Sequence, residues 1–318
     1  MRLARPRSRQ RGAALLTAMV VVTLVATLAA GMIWQQWRAV QVEIAERARV
    51  QAAWILSGAL DWASLILRED LRSGGADHLG EPWAVPLAEA RLSTFLAAER
   101  GAPAEDGPEA FLSGSITDAQ SRYNLRNLVD AGRVVPAEVE GLKRLFQAIR
   151  VTPELADTIA NALNSALLPP GSASAPSGPV PLLPETVDQI RWLGIDAESI
   201  ARMAPYVVIL PQRTAVNVNT APKEVLVAAI DGLDLATAER LVQSRQRQPF
   251  RTIQDVQGQV PALKVVAQRA NVVSSFFEVR GRLRLEDRVL EQSSLLERRG
   301  MQIVPLSRQR HSLRIGGA

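Results

Sequence analysis

From Gly12 to Trp37 there is no charged side chain, and Ala13–Trp34 is almost wholly Ala, Leu, Val, Met and Ile. That run matches the roughly 20 apolar residues a helix needs to cross a bilayer, where each backbone polar group must be satisfied within the segment. Arg2, Arg5, Arg7, Arg9 and Arg11 precede it with no acid among them, and acids begin at Glu43. The positive-inside rule keeps these arginines cytoplasmic and puts everything after Trp37 on the far side. They are five of the 37 Lys+Arg, and the remainder equals the 32 Asp+Glu. A pI near 10.3 therefore does not describe a basic groove for nucleic acid. A second basic cluster, Arg298, Arg299, Arg308, Arg310 and Arg314, lies towards the C-terminus. With no cysteine, disulfides and thiol chemistry are excluded.

The helix does not stop at the membrane. Apolar residues recur at Trp37, Val40, Ile44, Ala48, Ala52, Ile55, Ala59, Trp62 and Ile66, in steps of three or four, which is a helical stripe. Leu56, Leu60, Ala63 and Leu67 widen it, as if more protein covered that end. Trp54 and Trp62 fit the stripe and are expected in the core. Gly74-Gly75 supplies the stop. A helix from Ala13 to about Leu71 is on the order of 85–90 Å long.

Three readings fit this N-terminus. Thr27-Leu28-Ala29 could serve a cleaved secretory signal peptide, and the run could be a plain signal anchor. The third rests on Arg9-Gln10-Arg11-Gly12-Ala13-Ala14-Leu15-Leu16-Thr17, which resembles a type IV prepilin peptidase site. The resemblance implies cleavage between Gly12 and Ala13 and N-methylation at Ala13. Most members carry Glu at the fifth mature position. Thr17 stands there in this chain, a departure that belongs to the minor pseudopilin K branch of type II secretion.

The remainder reads as an α+β head. Phe111–Thr117 is a strand ending at Asp118. Phe277, Val279, Leu283 and Leu285 alternate with charged residues, and Val289–Leu296 and Met301–Leu306 follow around Arg299-Gly300. The small antiparallel sheet so formed is split by about 150 residues of helical character. Thr152-Pro153-Glu154 reads as a helix start and Pro169–Pro184 as a mobile linker. Thr186 with Gln189 is a capping-box pattern opening Val187–Leu193. Short helices are expected at Ala197–Ala204, Lys223–Ile230, Asp234–Gln246 and Thr252–Val256. The expected organisation is a leader at 1–12, an N-terminal helix at 13–72 and the first part of the head at 73–128. Two compact helical subdomains follow at 129–213 and 214–272, then strands and a basic tail at 273–318.

Asp118…Tyr123-Asn124-Leu125…Asn127-Leu128, Ala204-Pro205-Tyr206-Val207…Leu210-Pro211 and Val216-Asn217-Val218-Asn219-Thr220-Ala221-Pro222 occur in an order similar to the minor pseudopilin K family. The resemblance implies a type IV pilin-like fold, a long N-terminal helix on a small antiparallel sheet, with a large SAM-like or helix-hairpin-helix-like insertion. It implies a non-enzymatic protein anchored once in the inner membrane, with its head in the periplasm. Such a protein caps the tip of the pseudopilus and starts its assembly, so that folded proteins can be exported across the outer membrane. The implied partners are minor pseudopilins I and J, the major pseudopilin and prepilin peptidase. Thr17 would be tip-specific, because it cannot make the intramembrane ion pair that a Glu makes with a neighbouring amine.

The rival is a membrane-anchored pilin-like or helix-hairpin-helix DNA-binding protein of a competence or type IV pilus system. Residues 217–257 resemble such a hairpin, with Asp231-Gly232-Leu233-Asp234 as its turn, but two carboxylates beside a phosphate repel it. No nucleic-acid partner is expected. Asn217 and Asn219 read as turn and cap chemistry. The resemblance also implies calcium, in a stretch corresponding to Asp157–Gly171. The oxygens offered there are Asp157, Asn161 and Asn164, which read better as a solvated face, so no cofactor is expected. Asp70, Asp77 and Glu81 read as a solvated loop. His78 and His311 have no triad or ligand partner nearby in sequence. Trp83 fits either core or a partner patch, and the sheet edge is a second candidate surface.

Overall fold

The computed structural model describes residues 11–92, 110–168, 181–285 and 288–314. The leader's residues 1–10, the linker's 169–180, Glu286 and the tail's 315–318 lie outside the described residues. The chain divides into two units, Met1–Ser57 and Gly58–Ala318.

The described residues of the first unit are all helix. α1 runs Arg11–Ser73 without a break, so the helical stripe and its continuation past Trp37 are as expected. Glu43 and Arg47 pair at 2.5 Å on its exposed side. In the second unit α1 ends where the glycines predict: Gly74 and Gly75 have φ of +66° and +123°, and Gly74 N–H donates to Asp70 O at 3.2 Å.

The second unit holds an antiparallel sheet of five strands in sequential order: β1 (Leu87–Arg91), β2 (Ala110–Asp118), β3 (Phe276–Leu285), β4 (Arg288–Arg299) and β5 (Gln302–Arg314). Its alternation is that of a sheet covered on one side. Leu60, Ala63 and Leu67 of α1 form one cluster with Ile116, Phe277, Val279, Leu296 and Trp83. Trp83 meets Phe277 edge-on, with ring centroids 5.2 Å apart, so it is core and no partner patch. Trp54 and Trp62 are the reverse: expected in the core, they are 74% and 52% exposed. Trp62 lies two residues, about 200° of helix, from buried Leu60 and so points away from the sheet. The basic tail is also corrected, since β5 continues through it to Arg314.

Between β2 and β3 lie α2 (Pro136–Ala148), α3 (Leu155–Leu167), a 3-10 turn (Val187–Leu193), α4 (Ala197–Met203), α5 (Lys223–Ala229), α6 (Leu235–Arg247) and α7 (Ile253–Gln259). Local chemistry sets their starts. Thr186 and Gln189 form the expected capping box. Asp196 and Asp234 accept from the N–H of Ser199 and Thr237 at 2.8 Å, and Thr252 forms a capping box with Asp255. Such caps contribute about 1 kcal/mol each. The start at Thr152 is displaced: Thr152–Glu154 form a turn and α3 begins at Leu155, whose N–H donates to Thr152 O at 3.2 Å. Residues of 129–213 and of 214–272 share one buried core, in which Leu142, Phe146, Ile159 and Ile200 pack with Val225, Leu226, Phe250 and Val256.

Candidate functional site

Gly12 and Ala13 lie in the first turn of α1. Thr17 Oγ1 donates to Ala13 O at 2.6 Å, within its own helix turn. Thr23 and Thr27 bond back in the same way. Helices absorb isolated hydroxyls like this, so the three threonine donors are met within the helix. None of the apolar window is buried, and it is long enough to cross a membrane.

The three motif fragments of the insertion lie side by side. Tyr123 and Asn124 pair in parallel with Val207 and Val208, and Val216 and Asn217 with Ala270 and Asn271. Asn124 Nδ2 donates to Gln212 O at 2.7 Å, while its Oδ1 accepts from Leu210 N–H at 3.1 Å. Asn219 exchanges two bonds with the backbone of Phe250. Arg245 is buried and donates to Val218 O and Ala221 O, and burial pushes its pKa down to about 10. The asparagines therefore do more than cap turns, because they tie segments distant in sequence.

The densest knot is Asp118, at the end of β2. Its carboxylate accepts from Gln120 N–H (2.7 Å), Thr220 Oγ1 (2.6 Å), Ser274 Oγ (2.7 Å) and Asn217 Nδ2 (2.9 Å). Ser274 N–H continues the chain to Asp77 at 2.6 Å. Asp77 pairs with Arg298 at 2.5 Å, and Arg298 also pairs with Asp70 at the end of α1. Arg298 stacks on Phe277, 4.3 Å from the ring centroid. Asp77 is buried, contrary to a solvated loop, and the side chain of Arg298 is buried with it. Asp70, Asp77 and Glu81 place oxygens within 4.8 Å of one another, and the Arg298 guanidinium fills the cation's place. Glu81 accepts from Trp83 Nε1 at 2.7 Å.

Burial raises the carboxyls of Asp70, Asp77 and Asp118 above their ordinary range. A raised folded-state pKa favours the protonated folded form. Its stabilisation is complete below the ordinary value near 3.8 and is lost as pH rises through the raised one. The stability gap between wild type and Asp118→Asn should therefore move in the variant's favour as pH rises from about 4. Paired thermal melts between pH 4 and 8 test this, and a gap that moves the other way refutes it.

The other expected sites resolve simply. Asp157 is exposed and 3.1 Å from Lys143 Nζ, Asn161 is exposed, and Asn164 Oδ1 is buried without a donor. One carboxylate already met by an ammonium, beside two amides, does not fit an ion that takes six to eight oxygens. His78 Nδ1 accepts from Gly80 N–H at 3.1 Å, a local turn. His311 is exposed on β5 opposite Glu291. In the hairpin turn Asp231 accepts from Arg144 (2.5 Å) and Arg269 (2.7 Å), so its carboxylate stands where a phosphate would have to approach.

A long N-terminal helix, apolar enough in its first part to cross a membrane, with an antiparallel sheet and a large helical insertion, defines a pilin-like protein of unusual head. Two family models, both described as type II secretion system protein K, match residues 121–212 and 216–275. Type II secretion system protein K of Pseudomonas aeruginosa PAO1 is 30% identical over 92% of this chain and 90% of that one. The protein of the same name from Klebsiella pneumoniae is also 30% identical, over 92% and 94%. A chain of the GspK-GspI-GspJ complex from the type 2 secretion system of enterotoxigenic Escherichia coli superposes with a TM-score of 0.63. It is 20% identical and covers 84% of this chain and 98% of that one, which shows the shared fold. The chain belongs to the type II secretion system protein K family.

Proposed function

We propose that this chain is a non-enzymatic minor pseudopilin. It is anchored in the inner membrane by α1, with its head in the periplasm, and sits at the tip of the type II secretion pseudopilus. There it starts assembly with minor pseudopilins I and J ahead of the major pseudopilin. Family membership supports the system, and the complex in which the structural relative was solved supports the partners. The observation that carries the tip position is Thr17. Its hydroxyl is spent on Ala13 O, so it offers no charge to the amine of a neighbouring subunit. An unpaired intramembrane charge is costly, so the carboxylate of other pilins enforces a register that this subunit does not need. The helical insertion, too bulky to bury along a filament, suits the same position.

The test is intact mass and N-terminal sequencing of the membrane-extracted protein, with and without a prepilin peptidase. A chain starting at Ala13 only when the peptidase is present is expected. A start after Ala29, or an unprocessed chain, overturns the reading. Thr17→Glu should then alter where the protein sits, drawing it from the tip into the shaft. If immunogold labelling still marks only tips and secretion is unchanged, Thr17 does not set the position.

A further inference from the structure

β5 is an edge strand. Among the described residues it pairs with β4 alone, and its other side has no strand beside it. The two halves of that edge differ. In the first half Pro305 has no N–H, and the register slips between Leu295 and Leu296, opposite Ser307 and Pro305. Proline and bulges are the devices by which proteins blunt an edge. From Ser307 to Arg314 the ladder with β4 is regular, and Ser307–Ser312 are all exposed. This half presents an unblocked row of backbone donors and acceptors.

Its charged side chains are also all basic. Arg308, Arg310, His311 and Arg314 fall within it, and no acid occurs from Gln302 to Arg314. Arg308 and Arg310 make no ion pair among the described residues. Arg310 Nε donates to a neutral amide oxygen, Gln292 Oε1, at 2.8 Å. The three arginines of β3 are compensated, Arg280 by Glu278, Arg282 by Glu291 and Arg284 by Glu89. The period of two puts Arg308 and Arg310 on one face of the strand.

We propose that the outer edge of β5 over residues 308–314 is a docking site for an acidic, extended segment of another protein, which adds to the sheet as a sixth strand. Backbone hydrogen bonds hold such a strand, and acids at alternate positions meet the arginines. A second copy of this chain does not fit, because β5 against β5 sets arginine beside arginine. A neutral strand leaves the cations unmet. An anionic lipid surface meets the cations and leaves the strand's amides unpaired. The proposal is independent of leader processing and of tip position.

The test uses the full chain in detergent and a labelled peptide alternating Glu with Val and Thr. Its counterparts carry Lys for Glu, or N-methyl groups on alternate amides. The acidic peptide should bind and slow amide hydrogen exchange over 308–314. The other two should bind roughly tenfold or more weakly. The double variant Arg308→Glu/Arg310→Glu should lose the acidic peptide and gain the lysine one, a gain that misfolding cannot produce. Four outcomes overturn the proposal: no binding of the acidic peptide, exchange unchanged over β5, equal binding of the N-methylated peptide, or capture by anionic lipid vesicles through Arg308 and Arg310 without capture of the peptide.

Discussion

Asp118→Ala is expected to destabilise the head by about 3–5 kcal/mol, enough to lower its melting temperature by roughly 10 °C. Four donors converge on that carboxylate: Gln120 N–H, Thr220 Oγ1, Ser274 Oγ and Asn217 Nδ2. They come from the end of β2, from the loop before α5 and from the segment before β3, so removing one acceptor orphans donors on three segments. Each buried orphan costs about 1–3 kcal/mol before relaxation. An opposing term is the charge itself, which burial disfavours and no cation in contact offsets. Asp118→Asn removes that charge but sets an amide against the Asn217 amide, so a smaller loss of about 1–2 kcal/mol is expected. Denaturant unfolding at constant m-value decides the matter. An alanine variant within 1 kcal/mol of wild type would show that the knot is replaceable by water.

Gly141 carries the second large effect. It sits inside α2, where alanine ordinarily gains about 1 kcal/mol of helix propensity. A Cβ at this position would meet Ala228 O and Arg269 Nη2, both at 2.6 Å, closer than real Cβ atoms come. Arg269 cannot step aside. It pairs with Asp231 at 2.7 Å and with Glu138 at 3.2 Å, and donates to Ala228 O at 2.7 Å, joining α2 to the segment after α7. Separating α2 from α5 costs about 1–3 kcal/mol and breaks bonds of Arg269 as well. Gly141→Ala should therefore lose about 1–2 kcal/mol net, and Gly141→Val more than 3. Gly58, exposed in α1 with nothing within 4 Å of its would-be Cβ, is the control, and its alanine variant should be neutral or gain up to about 1 kcal/mol. If Gly141→Ala melts higher than wild type, the close approach is not rigid.

What could be read from the residues was what is local. Thr186 with Gln189 spans one turn, and the alternation from Phe277 to Leu285 needs only its own neighbours. The α2 helix has local signals too, in Pro136 at its first position and Glu138 in its first turn. Trp54 and Trp62 were misplaced because α1 carries two apolar stripes, and periodicity alone does not say which one meets the sheet. Leu60, Ala63 and Leu67 do. Asp77 and Arg298 stand 221 residues apart, and nothing near either announces the other. Asn217 and Asn219 read as turn chemistry because their partners, Asp118 and Ser274 for the first and Phe250 for the second, lie far off in the chain. The one signal was density, a run of polar side chains placed between apolar Val216, Val218 and Ala221.

The split sheet has a consequence for biogenesis. β2 and β3 are neighbours in the ladder, yet Thr117 and Glu278, bonded across it, are 161 residues apart. A chain delivered N-terminus first exposes β2 well before its partner emerges, and non-local pairing of this kind closes slowly. The helical body, rich in local contacts, can condense while β2 waits. Asp118 lies at the border of the two, and its partners Asn217, Thr220 and Ser274 arrive in order along the chain. The knot can therefore close only once Ser274, just ahead of β3, has emerged, and closing it fastens the end of β2 to the helical body.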